Sequence, residues 1–504
     1  MQEKMDKLLG LLHEKILAVD KYEDVFNDFK TLHADEERVR FFLKLMLEYG
    51  MIPQICPDRK NVRKSTELRE QGNEKFMSKS LTSSLCIDAL KLYTKSIAYA
   101  PCTSEQLALA YANRSAVLKK IHKYKECIQD IDRALALPYP NNSRSILYLR
   151  KIECSSILKY PNTEDTIKEA QNWLDRLSLN DVGHKKMNNM FISAKKISVS
   201  NISKKRSIVK QSPLPELKIC NSEVSCASDA ITIKYNEKYG RHIVATRDIN
   251  IGEIIAVEKP YLLMLSPNNL QTHCSNCLEV CWANIPCNYC TYAMYCSEEC
   301  KASDWKKYHD IECKVFPYFF KMNFMERHQY SVRLAIQAVR ESNNIQNLRE
   351  ELKEVENCDS NDAYRSVLSL VTHVEKLSLE DLFTRSAEAS FISYYLATST
   401  DIFGSSLKDL SELIENNDAI FVGGLILRHL QLIPLNTHSV IYTYNKFAEH
   451  EIASEDRGGA LMPFLSLFNH SCNPNILRVS RTAHIIAYAM YPIKKDEQVQ
   501  KRIV

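Results

Sequence analysis

Glycine is scarce in this sequence, 11 residues in 504, and proline supplies only 16. That excludes a collagen-like or low-complexity chain and leaves few tight turns, so a largely helical protein is expected. Neither sign of charge dominates: 66 Lys and Arg stand against 62 Asp and Glu, a formal net of +4. Such a balance gives neither a basic coat nor an acidic tail, and no direct nucleic-acid partner is expected. No uninterrupted apolar run of about 18 residues occurs, so no membrane-spanning helix and no membrane partner are expected. The N-terminus, MQEKMDKLLGLLHEK, alternates charge with leucine and lacks the apolar core of a signal peptide. Cytoplasm and nucleus are the expected locations.

What is present is ordinary globular composition, with 45% hydrophobic, 9% aromatic and 25% charged residues. The length fits about three domains. The exception is cysteine. Of 17 cysteines, eight fall between Cys274 and Cys313. In a reducing compartment, a cluster that dense points to metal rather than disulfides.

The pattern changes along the chain. Residues 1–60 read as two amphipathic packing helices that end near Gly50 and the Pro53 and Pro57 breaks. Residues 61–177 hold helix pairs with a repeat, STELREQGNEKF to DALKLYTKSIAYAP and LALAYANRSAVLKK to YKECIQDIDRALALP, with a weaker third pair after them. The equivalent positions Ala89 and Cys127 stand 38 residues apart. This resembles the tetratricopeptide repeat, about 34 residues per helix pair. Residues 178–228 lose the periodicity and read as a Lys-, Ser- and Asn-rich linker, in which KKR at 204–206 is a candidate import signal. Residues 229–262 switch to strand alternation, two or three strands. Residues 314–430 return to helix, and 431–504 to short strands and loops.

The cysteine cluster runs Cys274-x2-Cys277, Cys287-x2-Cys290, Cys296-x3-Cys300, His309-x3-Cys313. Seven thiolates and one imidazole make two closed tetrahedral zinc sites, which are structural because a catalytic zinc keeps an open position. The last two pairs suit a helix, where residues four apart share a face. Residues 274–313 resemble the MYND zinc finger, down to the Tyr295-Cys296-Ser297 step and the Trp305 to His309 stretch. That resemblance implies interleaved sites, one ion on Cys274, Cys277, Cys296 and Cys300, the other on Cys287, Cys290, His309 and Cys313. His273 and Cys281 are read as non-ligands. The family also binds proline-rich peptides, so a corepressor peptide of that kind is an implied partner.

LSLFNHSCNPN (465–475) is a polar turn between an apolar run and a strand. With YGRHIVATRDINIGE (239–253) it resembles the SET methyltransferase domain, and a zinc finger between the two halves resembles the SET-and-MYND family. The fold implied is multidomain α+β: α-helical tetratricopeptide-like repeats, then a β-rich SET domain split by a two-zinc MYND finger and a helical insert. The implied reaction is methyl transfer from S-adenosylmethionine to a lysine of a protein substrate, histones among the candidates. By the same resemblance, Gly240, Arg241, His242, Asn436, Ser466, Asn469 and His470 contact the cofactor. His242 stands where the family has Gly, and His438 where it often has an aromatic.

The family's catalytic Tyr follows the turn occupied here by Lys495-Asp496-Glu497, and the sequence runs to Val504 without it. Cys472 likewise lacks the following cysteines of the family's third zinc. No catalytic residue is therefore assigned, and a weak or inactive enzyme is expected of this chain. A non-catalytic adaptor is the competing expectation. Arg69, Asn73, Asn113 and Arg150 match four positions of the clamp with which some such repeats hold the C-terminal carboxylate of a chaperone peptide. Ile146 occupies a fifth position that is usually Lys.

Overall fold

A computed structural model describes residues 5–52, 55–160, 163–175, 192, 214–353, 363–446, 451–481 and 484–502. The linker expected from 178, with its KKR run, lies outside the described residues up to 213, apart from residue 192. The chain forms two compact units. One comprises Met1–Pro57, Ser212–Pro267 and Ser303–Val504, the other Asp58–Gln211 and Asn268–Ala302. The expected finger, 274–313, is thus divided between them.

The second unit begins with three helix pairs: Val62–Phe76 and Ser83–Tyr99, Glu105–Lys120 and Tyr124–Leu135, Arg144–Leu158 and Thr163–Asp175. Asn61, Thr82 and Ser104 cap three of these helices, each side-chain oxygen accepting a backbone N–H of the first turn. Ala89 and Cys127, the equivalents read from the sequence, are both fully buried in one apolar core. Gly72 lets the first pair close. A Cβ there would lie 2.6 Å from the Tyr93 ring. Gly72→Ala is expected to destabilise this unit by about 1–3 kcal/mol through overpacking, checked by urea denaturation. An unchanged midpoint would show that the ring moves aside freely.

The core of the helix pairs continues into the finger, taking in Ala283 and Met294 with Trp282 packed on it. Ten strands are described in the whole chain: β1 (Ile231–Asn236), β2 (Gly240–Ala245), β3 (Ile254–Glu258), β4 (Leu262–Leu265), β5 (Ile285–Pro286), β6 (Met294–Tyr295), β7 (Thr437–Lys446), β8 (Glu451–Leu461), β9 (Ile476–Arg481) and β10 (His484–Ala489). β5 and β6 pair as the finger's small hairpin.

The first unit opens with three helices rather than the two expected: Met5–Ala18, Tyr22–Lys30 and Asp35–Glu48. A left-handed Asp20 (φ 55°) breaks what the leucine pattern reads as one longer helix. They pack on the helical insert, where Phe383 gathers Phe26, Phe29 and Phe42 at centroid distances of 4.8, 5.1 and 5.3 Å. Gly423 and Gly424 of the helix Asn417–Asn436 allow that approach, since a Cβ would fall 2.9 Å from Val39 and 2.7 Å from Glu36. This helix is long and apolar enough to cross a bilayer, yet 72% of its apolar stretch is buried inside the fold. It also corrects the expected boundary at 430. The helix runs on to Asn436, through Pro434, and β7 and β8 behind it are long rather than short.

Four strands, not two or three, precede the finger, because the apolar Leu262–Leu265 run pairs with β8. The SET sheets are antiparallel: β1–β2, β3–β10–β9 and β4–β8–β7. The core of these sheets takes in Ala227, with Val224 and Cys226 packed against it, so the last residues assigned to the linker already belong to it.

Candidate functional site

The β1–β2 turn is built by Asn236, whose side-chain oxygen accepts the Tyr239 N–H at 2.8 Å, and by Gly240. Gly240 has φ +62°, and nothing lies within 4 Å of where its Cβ would stand. The backbone is therefore open to close approach by a ligand there. His242 is buried (5% exposed) and donates from Nδ1 to the Gly240 carbonyl at 2.9 Å, fixing its tautomer. Arg241 turns outward and donates to the Ser369 carbonyl and hydroxyl at 2.5 and 3.1 Å.

The polar turn 465–475 reaches this place from the other end of the chain. Asn469 Nδ2 donates to the Tyr239 carbonyl at 3.4 Å. The C-terminal segment passes between the two. On one side Val499 N–H donates to Ile243 O (2.9 Å) and Ala245 N–H to Glu497 O (3.0 Å). On the other, Lys501 N–H donates to Asn469 O (3.0 Å) and Ser471 N–H to Lys501 O (2.8 Å). Three chain segments far apart in sequence are thereby threaded together. His470 is exposed, with Nε2 3.4 Å from Cys472 Sγ.

Asn436 ends its helix with the side chain buried (2% exposed), donating to Val371 O at 3.0 Å and Leu432 O at 2.8 Å. Its amide donors are thus engaged within the fold. Ser466 Oγ lies 3.3 Å from the Asn436 carbonyl and 3.2 Å from His438 Nε2. Burial holds the His438 ring neutral, with Lys501 and Arg478 adding to the effect. Sequence reasoning named His438 only as a departure and missed Glu258, Arg478 and Lys501. Glu258 is 5% exposed and accepts the N–H groups of Phe464 and Leu465 at 3.0 and 2.8 Å. Burial nevertheless pushes its carboxyl up to about 7. A charged residue at the inward phase of an apolar strand, IIAVE, was the available signal for it.

In the finger, Cys274, Cys277, Cys296 and Cys300 have their sulfur atoms all within 4.8 Å of one another. Hydrogen bonds from the Cys277 thiol and from finger backbone N–H groups pull the Cys274 thiol down to about 5, against its burial. An all-sulfur set gathered this closely fits a closed zinc site. Cys281 stands outside this set, its thiol raised to about 11 by burial, as does His273, which bonds Thr272 Oγ1 at 2.9 Å. The other four donors are divided between the units. Cys287 and Cys290 are buried in the second, with Tyr289 N–H donating to Cys287 Sγ at 3.4 Å. His309 and Cys313 are buried in the first, one helical turn apart. Beside them lies the fully buried Glu312, which no sequence pattern marks and which Arg333 clamps at 2.6 and 2.7 Å.

In the helix pairs, Asn73 Oδ1 accepts from both Tyr93 Oη and Asn113 Nδ2, each at 2.8 Å. Arg69 and Arg150 both act electrostatically on the same Tyr93 hydroxyl, which burial raises to about 12. The four residues singled out from the sequence therefore gather round one phenol. Arg150 is turned inward, donating to Ala112 O at 2.8 Å and Ser115 Oγ at 2.5 Å.

A strand-built core with a C-terminal segment threaded through it is the architecture of a SET domain. The SET domain family model matches residues 240–500, more than half of the chain, and the chain belongs to that family. Within it the chain resembles the SET and MYND domain-containing proteins. Protein-lysine N-methyltransferase SMYD4 of Homo sapiens is 27% identical over 484 residues, covering 81% of this chain and 59% of that relative. Its Mus musculus counterpart is 26% identical over 552 residues, covering 94% and 66%. Histone-lysine N-methyltransferase ASHR1 of Arabidopsis thaliana is 26% identical over 264 residues, covering 52% and 46%. The chain thus spans 59% and 66% of the length of the human and mouse relatives.

Proposed function

We propose that this chain is a protein-lysine N-methyltransferase that takes S-adenosylmethionine as cofactor and a protein lysine, histone lysines included, as substrate. The observation that carries this reading is the threading of residues 497–501 between β2 and the 469–471 turn. It gathers Gly240, His242, Asn469 and His470, while Ser466 bonds Asn436. The cofactor supplies an activated methyl group on a sulfonium. Gly240, Arg241 and His242 would meet it with backbone at the open turn, and Asn436, Ser466, Asn469 and His470 would hold it from the far side. The chain's remaining task is to receive the lysine amine in its neutral, nucleophilic form. The dry core around Glu258 and His438, with Arg478 and Lys501 close by, disfavours a further positive charge and so favours the free amine. The test is titration of the full chain with S-adenosylhomocysteine in a calorimeter, followed by turnover on histone and cell-lysate proteins. Failure to bind the nucleoside overturns the reading.

Two structural zinc ions accompany it, as the resemblance of Cys287, Cys290, His309 and Cys313 to the second ligand set of a MYND finger implies. The donor types and the burial of all four support that assignment. Residence in both cytoplasm and nucleus is proposed on the basic 204–206 run.

The gathering round Tyr93 favours a second, adaptor role for the helix pairs, read as tetratricopeptide repeats. A chaperone C-terminal peptide ending in Glu-Glu-Val-Asp would place its carboxylates against Arg69 and Asn113. Arg69→Ala is expected to cut its affinity by about 10-fold or more in fluorescence anisotropy. Equal binding by the variant would remove the groove from consideration. Proline-rich corepressor peptides are the corresponding partners of the finger.

A further inference from the structure

Cys127 and Cys154 stand 27 positions apart, on the packed helices Tyr124–Leu135 and Arg144–Leu158 of the second and third helix pairs. Both are fully buried, and their Sγ atoms lie 3.6 Å apart in hydrogen-bond contact. A sulfur–sulfur bond is about 2 Å long, so closing one asks the two atoms to approach by about 1.5 Å. Buried cysteines otherwise act as small apolar side chains, and apolar filler needs no cation beside it. This pair has two. Hydrogen bonding with Cys127, then the charges of Lys119 and Arg150, pull the Cys154 thiol down against its burial. Lys119 is held by an ion pair with Glu153, and Arg150 by its bonds to Ala112 O and Ser115 Oγ. The Cys127 thiol is pushed the other way, by Cys154 and by burial. One sulfur is thereby set up as the attacking thiolate and the other as the thiol that resolves it.

The pair also sits at a weak seam. Leu147 and Cys154 are the buried residues through which Arg144–Leu158 joins the large core of the helix pairs, with Leu158 at its edge. The rest of that helix packs with Thr163–Asp175 around a separate cluster of four buried residues, Tyr148, Leu149, Ile152 and Ala170, edged by Leu135. A helix anchored by so few apolar groups opens at a lower cost than the whole unit, and such an opening admits a small oxidant to Cys154.

We infer that Cys127 and Cys154 are an oxidation site, a dithiol that a hydroperoxide closes into a disulfide joining the second helix pair to the third. The Cys154 thiolate attacks one oxygen of the hydroperoxide and the O–O bond breaks. The leaving oxygen departs as an alcohol, or as water, with the proton that Cys154 gave up. Cys154 is then a sulfenic acid. The Cys127 sulfur attacks it, the S–S bond forms, the S–O bond breaks, and the hydroxyl leaves as water with the Cys127 proton. The two thiols lose two electrons and the hydroperoxide gains them. A small thiol reopens the bond by exchange. Closed, the bond replaces a weak apolar seam with a covalent one and fixes Arg150, one helical turn before Cys154, against the helix Glu105–Lys120.

The experiment treats the full, zinc-loaded chain with hydrogen peroxide, alkylates the remaining thiols and maps tryptic peptides by mass spectrometry. Expected is a joined pair, peptide 126–133 with peptide 152–159, two hydrogens lighter than their sum and separated by dithiothreitol. Amide exchange over 144–158 should slow by about 10-fold or more in the oxidised chain and recover on reduction. Cys127→Ser should leave Cys154 as a sulfenic acid that a cyclic 1,3-dione captures, whereas Cys154→Ser should leave Cys127 unlabelled. Recovery of both cysteines as alkylated thiols from the treated wild type would overturn the site, as would Cys127 joined to other cysteines as often as to Cys154. Unchanged exchange after full closure would overturn the latch, and dione capture of Cys127 instead of Cys154 the division of roles. The wild-type peptide map needs no variant, so a variant that misfolds leaves the test intact.

Discussion

Arg114→Ala is expected to destabilise the unit formed by the helix pairs and finger by about 3 kcal/mol, the lower range for breaking a buried ion pair. Arg114 is fully buried and uses its whole guanidinium. Nε and Nη2 grip Asp130 at 2.7 and 2.9 Å. Nη1 donates to Thr94 Oγ1 (3.2 Å) and Asn284 Oδ1 (2.6 Å), and Nη2 also reaches the Asn284 carbonyl at 2.7 Å. Removing it leaves Asp130 with Arg133, at 3.1 Å, as its one cation among the described residues, and strips the finger's Asn284 of two bonds to the helix pairs. Arg133 to Ala283 O and Lys123 over Trp282 would remain as weaker ties. Urea denaturation of the full chain, with hydrogen exchange along 105–135 and 281–285, measures both consequences. A loss below about 1 kcal/mol, or exchange unchanged in the finger, would show that this network does not join them. Replacing Arg114 and Asp130 together by apolar residues of similar size should cost less than Arg114→Ala alone, because no unpaired charge is left behind.

Cys274→Ser is expected to remove one zinc equivalent, read by elemental mass spectrometry, and to unfold the finger. Structural zinc contributes about 10 kcal/mol or more to such small modules near pH 7. A two-strand hairpin of two residues each supplies almost nothing of its own. The damage should spread, because Ala283 and Met294 share a core with the helix pairs and Asn284 holds Arg114. Chelation of the wild type should produce the same spread of hydrogen exchange into 105–135. Zinc content unchanged in Cys274→Ser would remove this residue from the ligand set. Acid should act like chelation, since protons compete with zinc for the thiolates.

How much of this was legible beforehand follows from how local each signal is. The seven finger cysteines and His309 are readable because candidate metal ligands are few, chemically distinctive and closely spaced, and 465–475 because polar turn residues interrupt an apolar run. The helix pairs show in their periodicity, down to Ala89 and Cys127. The break at Asp20 was not readable: apolar residues continue across it through Val25, Phe26 and Phe29, and only packing on Phe383 shows that two short helices serve better than one long one.

The sequence by itself determined the helical start, the metal-binding chemistry of the finger and the SET signature, all carried by residues within a few turns of one another. Only the tertiary structure decided which distant residues complete each other. Val39 meets Gly423 across the N-terminal helices and the insert; Arg114 meets Asn284; Arg478 meets His438. None of these pairs has a periodic or compositional mark. A buried charge or a close-packed glycine gains its meaning from the partner that desolvates it, and that partner is chosen by the fold.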